Sequence, residues 1–201
     1  MNPYPTVKWS FHFLVLAAAC LGAFGAFSNS SALHAGPIDL GTPTARTPYD
    51  AYLQPMWDVL RNLAGNQPDV GVVEKFVQQG HSFRYSFNHD QPYRPQTPAE
   101  TEATKSGDCK AKSLWLAAKM DCRKVRFVIG KAKQVSNMSH AWLIWDSPQG
   151  WLILDATLYS RPLSPERVSS DSFIPTYSYA PGGKYSHAIA AAAASKYADH
   201  L

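Results

Sequence analysis

Cysteine is scarce in this chain, with three in 201 residues. An odd number cannot all pair internally, and no two stand at CxxC spacing, which excludes a disulfide scaffold and a zinc ribbon. Charge is scarce too. Charged residues make up 17% and the formal net charge is +4, well short of the concentrated Lys/Arg excess of a dedicated nucleic-acid binder. Past the N-terminal stretch, no apolar run approaches the ~20 residues that span a bilayer, and no internal repeat is visible. Hydrophobic residues at 45% match globular averages and exclude wholesale disorder, collagen-like chains and coiled coils. One ordinary domain with a short appendage remains, since domains run to ~100–200 residues.

The appendage is residues 1–35. Lys8 supplies a positive charge, Phe11 to Phe27 is almost wholly apolar, and small residues follow, with exits after Ala32 or Ala35. Basic start, apolar run and small-residue exit predict a secretory signal peptide. Residues 36–47, rich in Gly, Pro and Thr, read as a linker. Residues 48–185 are the domain, and 186–201 form an Ala-rich tail of high helix propensity. The expected address is periplasmic or secreted, with no membrane attachment after cleavage and no nucleic-acid partner.

Signal cleavage removes Cys20 and leaves Cys109 and Cys122. If Cys109 opens a helix and Cys122 lies just past its end, a rise of ~1.5 Å per residue holds them about 20 Å apart. A disulfide needs Cα atoms within ~7 Å. A free thiol in an exported protein asks for a chemical reason.

The patterning supplies elements around it. Met56, Val59, Leu60 and Leu63 fall at helical spacing, and a second helix starts at Pro68-Asp69 with Val72, Val73, Phe76 and Val77 on one face and Gly80 beyond its end. Residues 81–98 read as a short strand near Phe83 to Phe87 and then a long loop. Ser106-Gly107-Asp108 is a helix-start signal ahead of CKAKSLWLAAKM. Strands follow at Val125–Ile129, His140–Trp145, Trp151–Thr157 and Ile174–Tyr179. Helices first, then an antiparallel run, make an α+β domain with a helix packed on a sheet.

Three positions carry chemistry: Cys109 in SGDC, His140 in SHAW and Asp155 in LDAT. A thiol attacks a carbonyl as thiolate, which the first turn of a helix and a nearby imidazole favour. A carboxylate on the other ring nitrogen fixes the tautomer and stabilises the imidazolium. If Trp145 pairs with Gly150 across a four-residue loop, His140 falls directly opposite Asp155, with Cβ atoms ~5 Å apart. Trp142, Ile144, Trp151 and Ile153 share that face, which is expected to lie against the Cys109 helix.

GDC opening a helix, HAW on one strand and LDAT on the next resemble the transglutaminase-like cysteine hydrolase superfamily, closest to its bacterial transglutaminase-like cysteine proteinases. VEKFVQQ, QTPAET and IPTYSY add to the resemblance, which covers about Val72 to Tyr179. It implies a papain-like core and a Cys-His-Asp triad of Cys109, His140 and Asp155. Family proteinases commonly hold calcium through acids flanking the nucleophile. Here Asp108 is kept, but Lys110 and Ala111 replace the next two acids, so no calcium site is expected. Pro95 stands where the family has a tryptophan before QTP. Gln96 is the substitute candidate for an oxyanion donor, and Trp142 a candidate wall of the cleft.

Taken singly, each residue has a plainer reading. Cys109 would be an inert buried thiol, His140 a core or surface histidine, Asp155 a strand-end turn residue and Asp108 a helix-start carboxylate. Cys122 reads as packing, and His81, His89, His187 and His200 as solvated surface, without metal-ligand spacing. No cofactor is expected. Together the trio points to an exported cysteine protease or amidase acting on a protein or peptide substrate in the cell envelope. The alternatives are an amine-accepting transglutaminase and a non-catalytic binding module on the same fold.

Overall fold

The computed structural model describes residues 38–51 and 53–188. The expected signal peptide and nearly all of the Ala-rich tail lie outside the described residues. In chain order the elements are β1 (Thr42–Thr44), α1 (Gln54–Arg61), α2 (Val70–Ser82), β2 (Arg84–Tyr85), α3 (Pro98–Thr104), β3 (Ser106–Gly107), α4 (Cys109–Met120), β4 (Val125–Lys133), β5 (His140–Ser147), β6 (Gly150–Leu154), β7 (Ser172–Ala180) and β8 (Gly183–Ser186). Six strands form an antiparallel sheet in the order β1-β8-β7-β4-β5-β6, while β2 and β3 make a separate parallel pair.

α4 organises the domain. Asp108, in extended conformation, caps its start by accepting from the Lys110 and Ala111 amides, and Asp121 ends it in the left-handed region at φ 48°. Between the caps nearly every side chain is buried: Leu114, Trp115, Leu116, Ala117 and Met120 are all 2% exposed or less. A helix apolar on all sides must be covered on all sides. α1, α2 and α3 cover one side and the sheet the other. The main core joins α4 to Phe127, Ile129, Ala141, Leu143 and Trp145 on one face of the sheet. Each such side chain contributes roughly 1.5–3 kcal/mol through burial.

A smaller core lies on the sheet's other face, where Val128, Trp142, Ile144, Ile153 and Phe173 gather under Ile38, Leu40, Trp151, Leu163 and Val168. This corrects the expected packing: the face that carries Trp142, Ile144 and Ile153 turns away from α4. The alternate residues of β5, led by the small Ala141, meet the helix instead. Ser113 Oγ donates to the Ala141 carbonyl at 3.3 Å.

Other expectations shift at the edges. Part of the expected linker belongs to the fold: Thr42–Thr44 pair with β8, and Leu40 accepts from Arg126 at 2.6 Å. His187, expected in solvent, is 2% exposed, bonded to Ser178 and paired with Asp39 at 3.0 Å. It ties the first described residues to the last strand, so the domain runs past residue 185. α3 begins at Pro98, where the expected long loop ends. Thr97 and Glu100 form a reciprocal capping box there, and Arg94 holds the Glu100 carboxylate at 2.8 and 2.9 Å. Gly80 lies inside α2 rather than beyond it, at a place where a side chain would meet Ala156 and Trp115 at 3.0 Å.

Candidate active site

The three chemistry-bearing residues come from three elements and meet at one end of the sheet. Cys109 is the first residue of α4 and is 4% exposed. His140 is the first residue of β5, and Asp155 follows the last residue of β6. His140 Nε2 and Asp155 Oδ2 are 2.8 Å apart. The Cys109 sulfur is close enough to the same imidazole to favour its protonated form. Since Asp155 occupies Nε2, Nδ1 is the nitrogen left for sulfur.

The route to the His–Asp contact differs from the expected one. Ser147 pairs with Gly150, so Pro148-Gln149 is a two-residue loop and the register moves by two. Gly150 takes φ +100°, and the Ser147 hydroxyl closes the turn by donating to the Gly150 carbonyl and accepting from the Gln149 amide. His140 and Asp155 are therefore not direct cross-strand partners. A shift of two preserves side-chain parity, so both still point to the same side. The chain leaves the sheet after Leu154, and Asp155 Oδ1 accepts from the Thr157 and Leu158 amides at 2.9 and 3.2 Å. That turn aims Oδ2 back at the imidazole.

Burial of His140 opposes its protonation. The Asp155 carboxylate and the Cys109 sulfur outweigh that cost and raise its pKa to about 9. An imidazolium is thus favoured at neutral pH, with Asp155 on one nitrogen and Cys109 on the other. β4 holds the ring in place. Gly130 pairs with His140, next to the register shift between β4 and β7. A Cβ at Gly130 would lie 2.0 Å from the Ile174 carbonyl and 2.9 Å from the Trp142 ring. Only glycine allows that approach.

Asp108 is fully engaged beside Cys109. Oδ1 takes the two helix amides and Oδ2 accepts from the Tyr93 hydroxyl at 2.6 Å. Burial, then the Asp108 charge, push the Tyr93 phenol far above its usual range, so it stays a donor. Tyr93 stacks on Phe87 at 5.2 Å, and the Lys110 ammonium lies 5.1 Å from its ring. From the sequence, Tyr93 is placed only in the long loop. A tyrosine 15 positions from its partner across a loop leaves no local signal.

Gln96 is brought to the same end. Its amide oxygen is buried without a hydrogen-bond partner and would lie 3.3 Å from a Cβ at Gly107, two residues before Cys109. Trp142 lies elsewhere. It stacks behind His140 at 6.1 Å, meets Phe173 edge-on at 5.3 Å, and lines a cavity of about 230 Å³ on the sheet face away from α4. Phe173 has φ +52°, a conformation costly for an aromatic residue. Cys122 is fully buried, and both described cysteines are free thiols.

No protein-family model matches the sequence, and no curated protein matches it. Among solved structures, Legionella pneumophila LapG in its EGTA-treated form aligns with a TM-score of 0.50 at 21% identity, covering 67% of this chain and 75% of that one. The fold is papain-like, of the transglutaminase-like kind. A calcium-bound form of LapG aligns with a TM-score of 0.47 at 22% identity, covering 65% of this chain and 75% of that one.

Proposed function

We propose that this protein is an exported cysteine hydrolase that cleaves peptide or glutamine side-chain amides through Cys109, His140 and Asp155. The observation that carries the reading is one imidazole held by Asp155 at 2.8 Å, with the Cys109 sulfur close enough to favour its protonation. The Cys109 thiolate attacks the amide carbonyl, and the resulting oxyanion meets the Cys109 backbone N–H and the Gln96 side-chain amide. Collapse of this intermediate breaks the C–N bond, and His140 gives its proton to the leaving amine. A thioester on Cys109 remains. Water, deprotonated by His140, then attacks it, releasing a carboxylic acid and restoring the thiol. Asp155 orients His140 throughout.

Hydrolysis is proposed over transamidation, and the substrate is a protein or peptide of the cell envelope. Exposed Tyr85 and Phe87 stand on the Cys109 side, while Leu158 and Tyr159 follow Asp155. They offer apolar surface for an extended chain. LapG has a calcium-bound form; in this protein the residues flanking Cys109 do not fit the ion. Lys110 and Ala111 offer no side-chain oxygen, and both Asp108 oxygens are committed to internal donors, whereas Ca²⁺ takes 6–8 oxygen ligands. We therefore propose a calcium-independent enzyme.

The test is trapping of the acyl-enzyme. A peptide ester or peptidyl vinyl sulfone added to the mature protein should give a covalent adduct on Cys109, found by mass spectrometry, in EGTA as in calcium. No adduct in the wild type, or the same adduct yield in His140→Ala, contradicts the reading.

A further inference from the structure

The sheet face that carries the His140 imidazole also carries a cavity that the mechanism leaves unused. His140, Trp142 and Ile144 alternate along β5 and so share that face. Trp142 stacks behind His140 with ring centroids 6.1 Å apart, and it walls the cavity of about 230 Å³. Val128, Ile144, Ile153 and Phe173 complete an apolar floor, Ser170 stands exposed at the mouth, and Asp39 supplies the charge on the wall. Phe173 holds its place in the left-handed region at φ +52°, a costly backbone that persists only where the surroundings over-determine it. Its ring meets Trp142 at 5.3 Å and Tyr159 at 5.9 Å.

We propose that this cavity is a binding site for an uncharged fused-ring aromatic compound of indole size, and that the His140–Asp155 pair senses its filling. Size, shape and charge fix the class. An apolar cavity of about 150 Å³ holds a benzene ring, and 230 Å³ makes the step from one ring to two. Trp142 and Phe173 stand at 71° to each other, forming a corner where a planar ring lies stacked on one wall and edge-on to the other. The Asp39 carboxylate repels an anion, while its oxygens are already met by the Gly41 amide and by His187, so the ligand need bring no cation. Beside the mouth, Lys133 and Asp171 offset each other at 3.7 Å. The two aromatic walls lead to the two halves of the pair. Trp142 backs the His140 ring, and Phe173 touches Tyr159, whose amide donates to the Asp155 carbonyl at 3.0 Å. A ring wedged against both walls restrains the imidazole and the Asp155 turn together. The binding stands apart from the triad reading, because it needs no reaction at Cys109.

The experiment is an NMR titration of the mature protein with indole, followed at the Trp142 indole N–H and at the His140 ring. Both signals should shift and saturate with one midpoint, at about 1 mM or below. Indole-3-acetate carries the same ring with a carboxylate and should bind at least about fivefold more weakly. Ile144→Phe fills the floor and should weaken indole binding about tenfold or more. Ser170→Trp lays its own indole over the exposed mouth and should do the same, which keeps the test decisive if Ile144→Phe does not fold. No saturation at either signal, equal affinity for the anion, or undiminished affinity in a folded variant overturns the proposal. Failure of the triad reading would show instead in Cys109 alkylation that is indifferent to His140→Ala, with indole binding intact.

Discussion

The two ends of α4 carry two free thiols with opposite surroundings. Cys109 opens the helix at 4% exposure, and Cys122 lies just past its end at 0%. Burial does not separate them. At the first end Asp108 caps the helix by accepting from the Lys110 and Ala111 amides, and the sulfur lies close enough to His140 to favour the imidazolium. At the other end, Asp121 turns the chain and anchors the loop after α1 through Ala64, Gly65 and Asn66, while Cys122 joins the main apolar core. A thiol becomes a nucleophile through what can stabilise its anion, and only one end of this helix supplies that.

The sharpest way to break the contrast is to remove each sulfur in turn. Cys109→Ala should lower amide cleavage by at least ~10³-fold, with the fold intact by circular dichroism. Cys122→Ala should leave kcat/KM within about twofold and cost ~1–2 kcal/mol of unfolding free energy through the cavity it leaves. Next comes Asp155→Asn, which keeps the shape but offers the imidazole an amide. A loss of about 10²- to 10⁴-fold in kcat is expected, because the tautomer is no longer fixed. Cys122 chemistry should not respond.

A pH effect on stability follows from His140. Its folded pKa, about 9, lies above the ordinary histidine value of 6.5. The group therefore contributes stability that is fully present below about pH 6.5 and is lost as pH rises through about 9. The full contribution is on the order of 3 kcal/mol. Urea midpoints should fall across that window, and His140→Ala should flatten the fall. A further effect on stability is expected from Tyr93→Phe. It removes the bond to Asp108 at 2.6 Å, leaves one buried carboxylate oxygen short of a donor, and should cost about 1–3 kcal/mol in denaturant unfolding.

Much of the site was legible because it rests on local signals. Asp108 before an apolar-periodic run is a helix start whatever else surrounds it, and that alone put Cys109 at an N-terminus. His140 and Asp155 shared a parity that survived a two-residue error in the hairpin, since a shift of two keeps every side chain on its face. The loop was misread because Pro148-Gln149 lacks the Asn-Gly or Asp-Gly signature of a two-residue turn. Which face met α4 was not legible, since both faces of β5 are apolar: Trp142 and Ile144 on one, Leu143 and Trp145 on the other. The cap of α3 was present in Thr97-Pro98-Ala99-Glu100, a capping box with proline at the first turn. β1 and β8 are short, mostly polar strands at one side of the sheet, where period and propensity carry little.

The most direct test is the pH dependence of iodoacetamide alkylation, read at both thiols by mass spectrometry in the same sample. The account predicts that native Cys109 reacts at least ~10²-fold faster than Cys122 at pH 7, and that His140→Ala slows Cys109 about tenfold or more while leaving Cys122 unchanged. In denaturant the two thiols should react alike. Equal native rates, or a Cys109 rate indifferent to His140, would contradict the claim that the imidazole at the start of α4 makes one of these thiols a nucleophile.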